Sequence, residues 1–138
     1  MTTMPPLLLI TADPSHPLAL LALRYARAHL KNLANKKDTE NNKKLNVFFY
    51  ADAAFTANRL RWQSAEQFDI TKAWQDLAEQ YQLSLPVCVS TALSRGISDA
   101  DNSSRHQLNG DNLATGFSLV GLSELAMMMQ DDCRLIQF

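Results

Sequence analysis

Three short, almost wholly apolar stretches constrain this chain more than anything else in it: Leu7 to Thr11, Asn46 to Tyr50 and Leu85 to Val89. Each is too short for an ordinary helix, and a strand that lacks polar alternation is one buried on both faces. Helix-like segments separate them. The coarse order of strand, helix, strand, helices, strand, helix, strand therefore predicts a three-layer α/β/α fold with a mainly parallel sheet of four to five strands.

The connecting segments carry their own signals. After the turn Asp13-Pro14-Ser15-His16-Pro17, Ser15 is the expected cap of a helix and Pro17 suits its first turn. Leu18, Leu21, Ala22 and Tyr25 mark its expected buried stripe, with Arg24, Arg27 and Lys31 facing water. From Phe68 to Tyr81, the residues Ile70, Ala73, Trp74, Leu77, Ala78 and Tyr81 fall on one helical face, which places Trp74 in core or interface rather than in a ligand site. Residues 98–112 are polar and loop-like, a segment that could wall the site as a lid. Ser118 is the expected cap of a last helix with the stripe Leu119, Leu122, Leu125, Ala126 and Met129, and Cys133 to Phe138 is the expected final strand. The run Met127-Met128-Met129 adds more apolar surface than one stripe requires. Residues 35–44 mix charges with no hydrophobic period and are expected to form a mobile insertion loop. A length of 138 residues with 46% hydrophobic content fits one domain over 1–138.

Composition excludes several function classes. With 13 basic and 14 acidic residues the net charge is −1, so there is no electrostatic footprint for direct nucleic-acid binding. No apolar run approaches the roughly 20 residues that span a bilayer, and the first residues lack the features of a secretory signal, so a cytoplasmic protein without membrane contact is expected. The two cysteines have no metal-ligand spacing, and neither a metal nor a cofactor is expected. Two prolines in the first turn remove amide donors that a phosphate site would need.

Cys88 is the candidate for chemistry. It closes an apolar strand and is followed at once by a short helical segment with Gly96 just past its end. Open α/β sheets place reactive groups at the carboxyl edge of a strand, and helix amide dipoles favour a thiolate over a thiol there. A thiolate with an approach path can exchange sulfur with a second thiol. Arg95 adds positive charge nearby in one reading and is a solvated residue at the helix end in the other, the second being slightly favoured. Cys133, at the amino end of the last strand, reads as structural. His16, His29 and His106 have no triad or metal spacing, and His106 in the polar loop is the one to test as a proton donor.

The run from Tyr81 to Ile97 around Cys88 resembles the segment around the sulfur-carrying cysteine of the DsrE/TusD family of sulfur-relay proteins. Val47-Phe48-Phe49-Tyr50 with Ala51 to Asn58, the helix around Trp74, Asn112 to Leu122, and Asp132 to Phe138 resemble further blocks of that family, so the resemblance covers most of the chain from Asn46 onward. The proline-containing first turn and the segment at 35–44 depart from it. The resemblance implies a DsrE-like fold and a sulfurtransferase subunit that carries persulfide sulfur on Cys88 and passes it to an acceptor protein, in 2-thiolation of the tRNA wobble uridine. It also implies a hetero-oligomer with two related small subunits of TusB/TusC type, an upstream sulfur donor and a TusE-like sulfur acceptor. The alternatives are a DsrE-type carrier in oxidative sulfur metabolism and a non-catalytic scaffold subunit of a related complex.

Overall fold

The computed structural model describes residues 5–35, 45–130 and 132–138, and the expected insertion loop lies outside them apart from Asn35. Along the chain the elements are β1 (Leu7–Ile10), α1 (Pro17–Ala34), β2 (Asn46–Phe49), a 3₁₀ helix (Ala51–Ala57), α2 (Ile70–Tyr81), β3 (Leu85–Cys88), α3 (Val89–Ser94), α4 (Ala100–His106), β4 (Phe117–Val120), α5 (Leu122–Met128) and β5 (Leu135–Gln137). The five strands form one sheet in the order β4-β3-β2-β1-β5, and every neighbouring pair is parallel. In register, Leu7 lies opposite both Asn46 and Leu135, and Cys88 lies opposite Val120.

This order decides which face each helix covers. From β1 to β4 the chain steps outward in one direction, whereas the connection from β4 to β5 runs back past β1. Right-handed crossovers put helices of same-direction steps on one face and the helix of a reversed step on the other. Accordingly, Leu8, Ile10, Val47, Phe49, Leu85 and Val87 join the main core with Ala22, Leu23 and Leu30 of α1 and Trp74 and Leu77 of α2. The alternate residues Leu7, Phe48 and Cys88 form a smaller cluster on the opposite face, against which Leu125 and Met128 of α5 pack.

Trp74 is a core residue, 1% exposed, with its ring edge-on to Phe49 at 5.3 Å between centroids. Asp69 caps α2 by accepting from the Lys72 amide, and Gln82 closes it in the left-handed conformation.

Four local expectations are corrected. The buried stripe of α1 is Ala19, Ala22, Leu23, Ala26 and Leu30, while Leu18 and Leu21 are exposed. Its cap is His16, whose Nδ1 accepts from the Leu18 amide, because the Ser15 hydroxyl is taken by the Asp13 carboxylate. The polar stretch after Ser98 holds a helix, α4, started by Asp99 accepting from the Asn102 amide. Residues 117–120 are a strand paired to β3 rather than the start of the last helix, so Leu119 packs in the main core and Gly121 takes the cap position of α5.

Candidate functional site

Cys88 is the last residue of β3 and the capping position of α3, with φ −60° and ψ 121° and no side-chain cap hydrogen bond. Its extended backbone continues the pleat of β3, so its side chain points to the face opposite Val87. There it belongs to a small apolar cluster with Leu7 and Phe48, against which Leu9, Tyr50, Val120, Leu125 and Met128 pack; by register Leu7 holds the amino end of that cluster and Cys88 its carboxyl end. The site is on the carboxyl edge of the sheet, as expected, but two strands away from the point where the strand order reverses, between β1 and β5. The residue is 1% exposed. The chemistry expected of Cys88 needs a reachable sulfur, whereas the structure buries it on the apolar face of the sheet.

α3 is held in place by Arg95. Its Nε and Nη2 both donate to Asp52 Oδ1, at 3.1 and 3.0 Å, and its Nη1 donates to the Thr91 carbonyl at 3.1 Å. The guanidinium also lies 6.0 Å from the centre of the Phe55 ring. Arg95 is therefore neither free in solvent nor aimed at the sulfur. It ties the helix after Cys88 to the 3₁₀ helix after β2, and Thr91 Oγ1 donates back to the Cys88 carbonyl at 3.2 Å. Gly96, with φ +78°, ends α3 as expected.

A second tie lies further out. Asn112 donates through Nδ2 to Asn58 Oδ1 and to the Gly96 carbonyl, both at 3.0 Å, and accepts the Ser98 amide at Oδ1. One side chain thus joins the segments after β2, after α3 and before β4. The amide's ability to donate and accept at once suits it to this place, but nothing local in the sequence marks Asn112 for it. Ala51 was likewise not legible: it adopts φ +56° directly after Tyr50, a left-handed conformation that costs a non-glycine residue about 1–2 kcal/mol. Such strain is found where the surrounding structure dictates the chain path, commonly beside functional residues.

Beside β1 on the same sheet edge, Asp13 accepts from the Ser15 amide and hydroxyl. Burial pushes its carboxyl group upward, but the Ser15 hydrogen bonds and the charges of Arg61 and His16 outweigh this and hold it below the ordinary value of 3.8. His106 is exposed in the last turn of α4, and His29 stacks on Tyr25. Cys133 is a free, half-buried thiol before β5, on the amino edge of the sheet, and packs against the same small cluster from that end. Among the described residues, no three His, Cys, Asp or Glu side chains gather where they could hold a metal ion.

An all-parallel five-stranded sheet with helices on both faces and a cysteine ending its third strand make this a small three-layer α/β domain. The comparisons agree. The sequence pattern of the DsrE/DsrF-like family matches residues 7–138. The chain is 40% identical over 117 residues, 85% of its length and 84% of the relative's, to a protein named sulfurtransferase TusD from Pectobacterium carotovorum. It is 42% identical over 68% of its length, and 72% of the relative's, to a sulfurtransferase TusD homolog from Vibrio parahaemolyticus. The crystal structure of ychN from E. coli superposes with a TM-score of 0.68 at 18% identity, covering 98% of this chain and all of that one, which shows the shared fold. The chain belongs to the DsrE/DsrF-like family.

Proposed function

We propose that this chain is a sulfurtransferase subunit of a sulfur relay, with Cys88 as the residue that carries the sulfur. The observation that carries the reading is identity of about 40% over most of the chain to proteins named sulfurtransferase TusD. The position of Cys88 at the carboxyl end of β3 supports the residue assignment. In the reaction, the Cys88 thiolate attacks the outer sulfur of a donor persulfide, an S–S bond forms to Cys88, and the donor leaves as a thiolate. An acceptor thiolate then attacks the outer sulfur of the Cys88 persulfide and releases the Cys88 thiolate. The transferred sulfur keeps its oxidation state, so no external oxidant or reductant is needed.

The pathway that we propose is 2-thiolation of the tRNA wobble uridine, with a TusE-like protein as acceptor. A net charge of −1 favours delivery through that protein over direct contact with tRNA. Two related small subunits are the proposed companions, and Leu122, Met127, Met129 and Leu135, exposed on and beside the α5 layer, give them an apolar surface to cover. A cytoplasmic location fits this chemistry. Among the described residues no helix is long and apolar enough to cross a membrane.

The test is sulfur loading. After incubation with a cysteine desulfurase and radiolabelled cysteine, the wild-type protein and Cys133→Ala should carry a label released by reductant, and Cys88→Ala should not. Equal labelling of Cys88→Ala would remove Cys88 from the reaction. A second reading, a scaffold subunit without its own sulfur transfer, draws on the burial of Cys88. It predicts no label on any of the three proteins, even with the companion subunits present.

A further inference from the structure

We propose that α5 is a displaceable cover over Cys88, so that the closed chain is protected from sulfur exchange and reaction requires α5 to move off the sheet. This inference rests on the reading of Cys88 as the sulfur carrier. Exchange between sulfurs needs the attacking thiolate to reach the target sulfur, and at 1% exposure the Cys88 sulfur offers no such path. The members of the cluster on its face of the sheet differ in how readily they can leave. Leu7 and Phe48 lie on β1 and β2, which are paired on both sides, and Val120 lies on β4, paired to β3 along its whole length. Leu125 and Met128 lie on α5.

α5 is weakly fastened. It has seven residues, none of them buried, and Leu125 and Met128, three apart on one face, are its half-buried contacts with the sheet. Its capping position is Gly121, without a side-chain cap bond, and the Met129 amide bonds back only to the helix's own carbonyls of Leu125 and Ala126. Among the described residues, no side chain of α5 makes a hydrogen bond or an ion pair. A helix of this length does not persist without packing, and weakly packed elements open at lower free energy than the whole fold. Opening α5 exposes the thiol while the main core on the other face, with α1, α2 and Trp74, stays intact.

The experiment is the rate of iodoacetamide modification, read at Cys88 and Cys133 separately by mass spectrometry across a urea series. Cys88 in the wild-type protein should react more slowly than in the urea-unfolded chain, at a rate nearly independent of urea at low concentrations, the behaviour of a local opening. Met128→Ala should speed it roughly tenfold, the effect of losing a half-buried methionine contact at tenfold per 1.4 kcal/mol. Leu23→Ala, which cuts the main core on the opposite face, should lower global stability yet leave the low-urea Cys88 rate unchanged. The proposal is overturned if wild-type Cys88 reacts as fast as in the unfolded chain. It is equally overturned if its rate follows the urea dependence of global unfolding, or if Leu23→Ala accelerates it as much as Met128→Ala. The wild-type urea series decides even if Met128→Ala does not fold. Failure of sulfur labelling at Cys88 would instead strike the functional reading and leave these rates as they are.

Discussion

Replacing Cys88 with alanine tests whether the sulfur is packed in the apolar pocket that the structure gives it. The side chain is 1% exposed and belongs to the small apolar cluster on the α5 face of the sheet. Deleting one buried heavy atom of about methylene size forfeits roughly 0.8 kcal/mol of transfer free energy, and the small void left behind raises the loss to about 1–2 kcal/mol. Cys133 is half-buried beside the edge strand β5, so Cys133→Ala should cost about 0.5 kcal/mol or less. With a urea slope of roughly 1–3 kcal/mol per molar for a domain of this class, Cys88→Ala should lower the unfolding midpoint by about 0.5–1 M, and Cys133→Ala should hardly move it. The assay is equilibrium urea unfolding followed by far-UV circular dichroism and by tryptophan fluorescence, whose change on unfolding comes mainly from buried Trp74, since Trp62 is already 82% exposed. Equal midpoints for Cys88→Ala and the wild-type protein, or a larger fall for Cys133→Ala, would refute the packing argument.

The tie between α3 and the 3₁₀ helix should appear as coupling between Arg95 and Asp52 in a double-mutant cycle of Arg95→Gln and Asp52→Asn. Because the pair is partly exposed, the coupling should be about 0.5–1 kcal/mol and should shrink in high salt; additivity of the two changes would show that the pair contributes nothing. Ala51→Gly should stabilise by up to about 1 kcal/mol, since relief of the left-handed backbone outweighs the added freedom of the unfolded chain. Ala53→Gly, two residues on in the same 3₁₀ helix and fully buried, should destabilise by about 1 kcal/mol, and thermal melts that show both variants shifted the same way would contradict the strain argument. Asp13 has a lowered carboxyl pKa, so its contribution is present above the ordinary value of 3.8 and is lost as pH falls through the lower native one. The melting difference between the wild-type protein and Asp13→Asn should therefore be small, under about 1 kcal/mol for so exposed a group, and should narrow between pH 7 and pH 3; an unchanged gap would rule the linkage out.

The strands around the site were legible because short apolar runs without alternation have few other uses in a chain of this size, and β1, β2 and β3 lie within a residue of where those runs place them. The helix around Trp74 was legible for a similar reason: its apolar residues make one stripe against a polar background, so the period names the buried face. α1 lacks that contrast. Apolar residues surround it, and contact with α2 and the sheet selected the narrow Ala19, Ala22 and Ala26 side with Leu23 and Leu30, leaving Leu18 and Leu21 outside. β4 escaped because Phe117 to Val120 reads as helix or strand until β3 lies beside it, and α4 because a polar helix shows little but its Asp99 cap.

The candidate site divides the same way. Sequence by itself determined that Cys88 ends a strand and begins a helix, since that depends on neighbours along the chain. Only the tertiary structure decided that its sulfur faces the thin α5 layer, that Arg95 is engaged by Asp52, and that Asn112 joins three distant segments. Those facts follow from the reversal of strand order after β4 and from side chains that meet across 43 to 54 positions of sequence, and no local pattern encodes them.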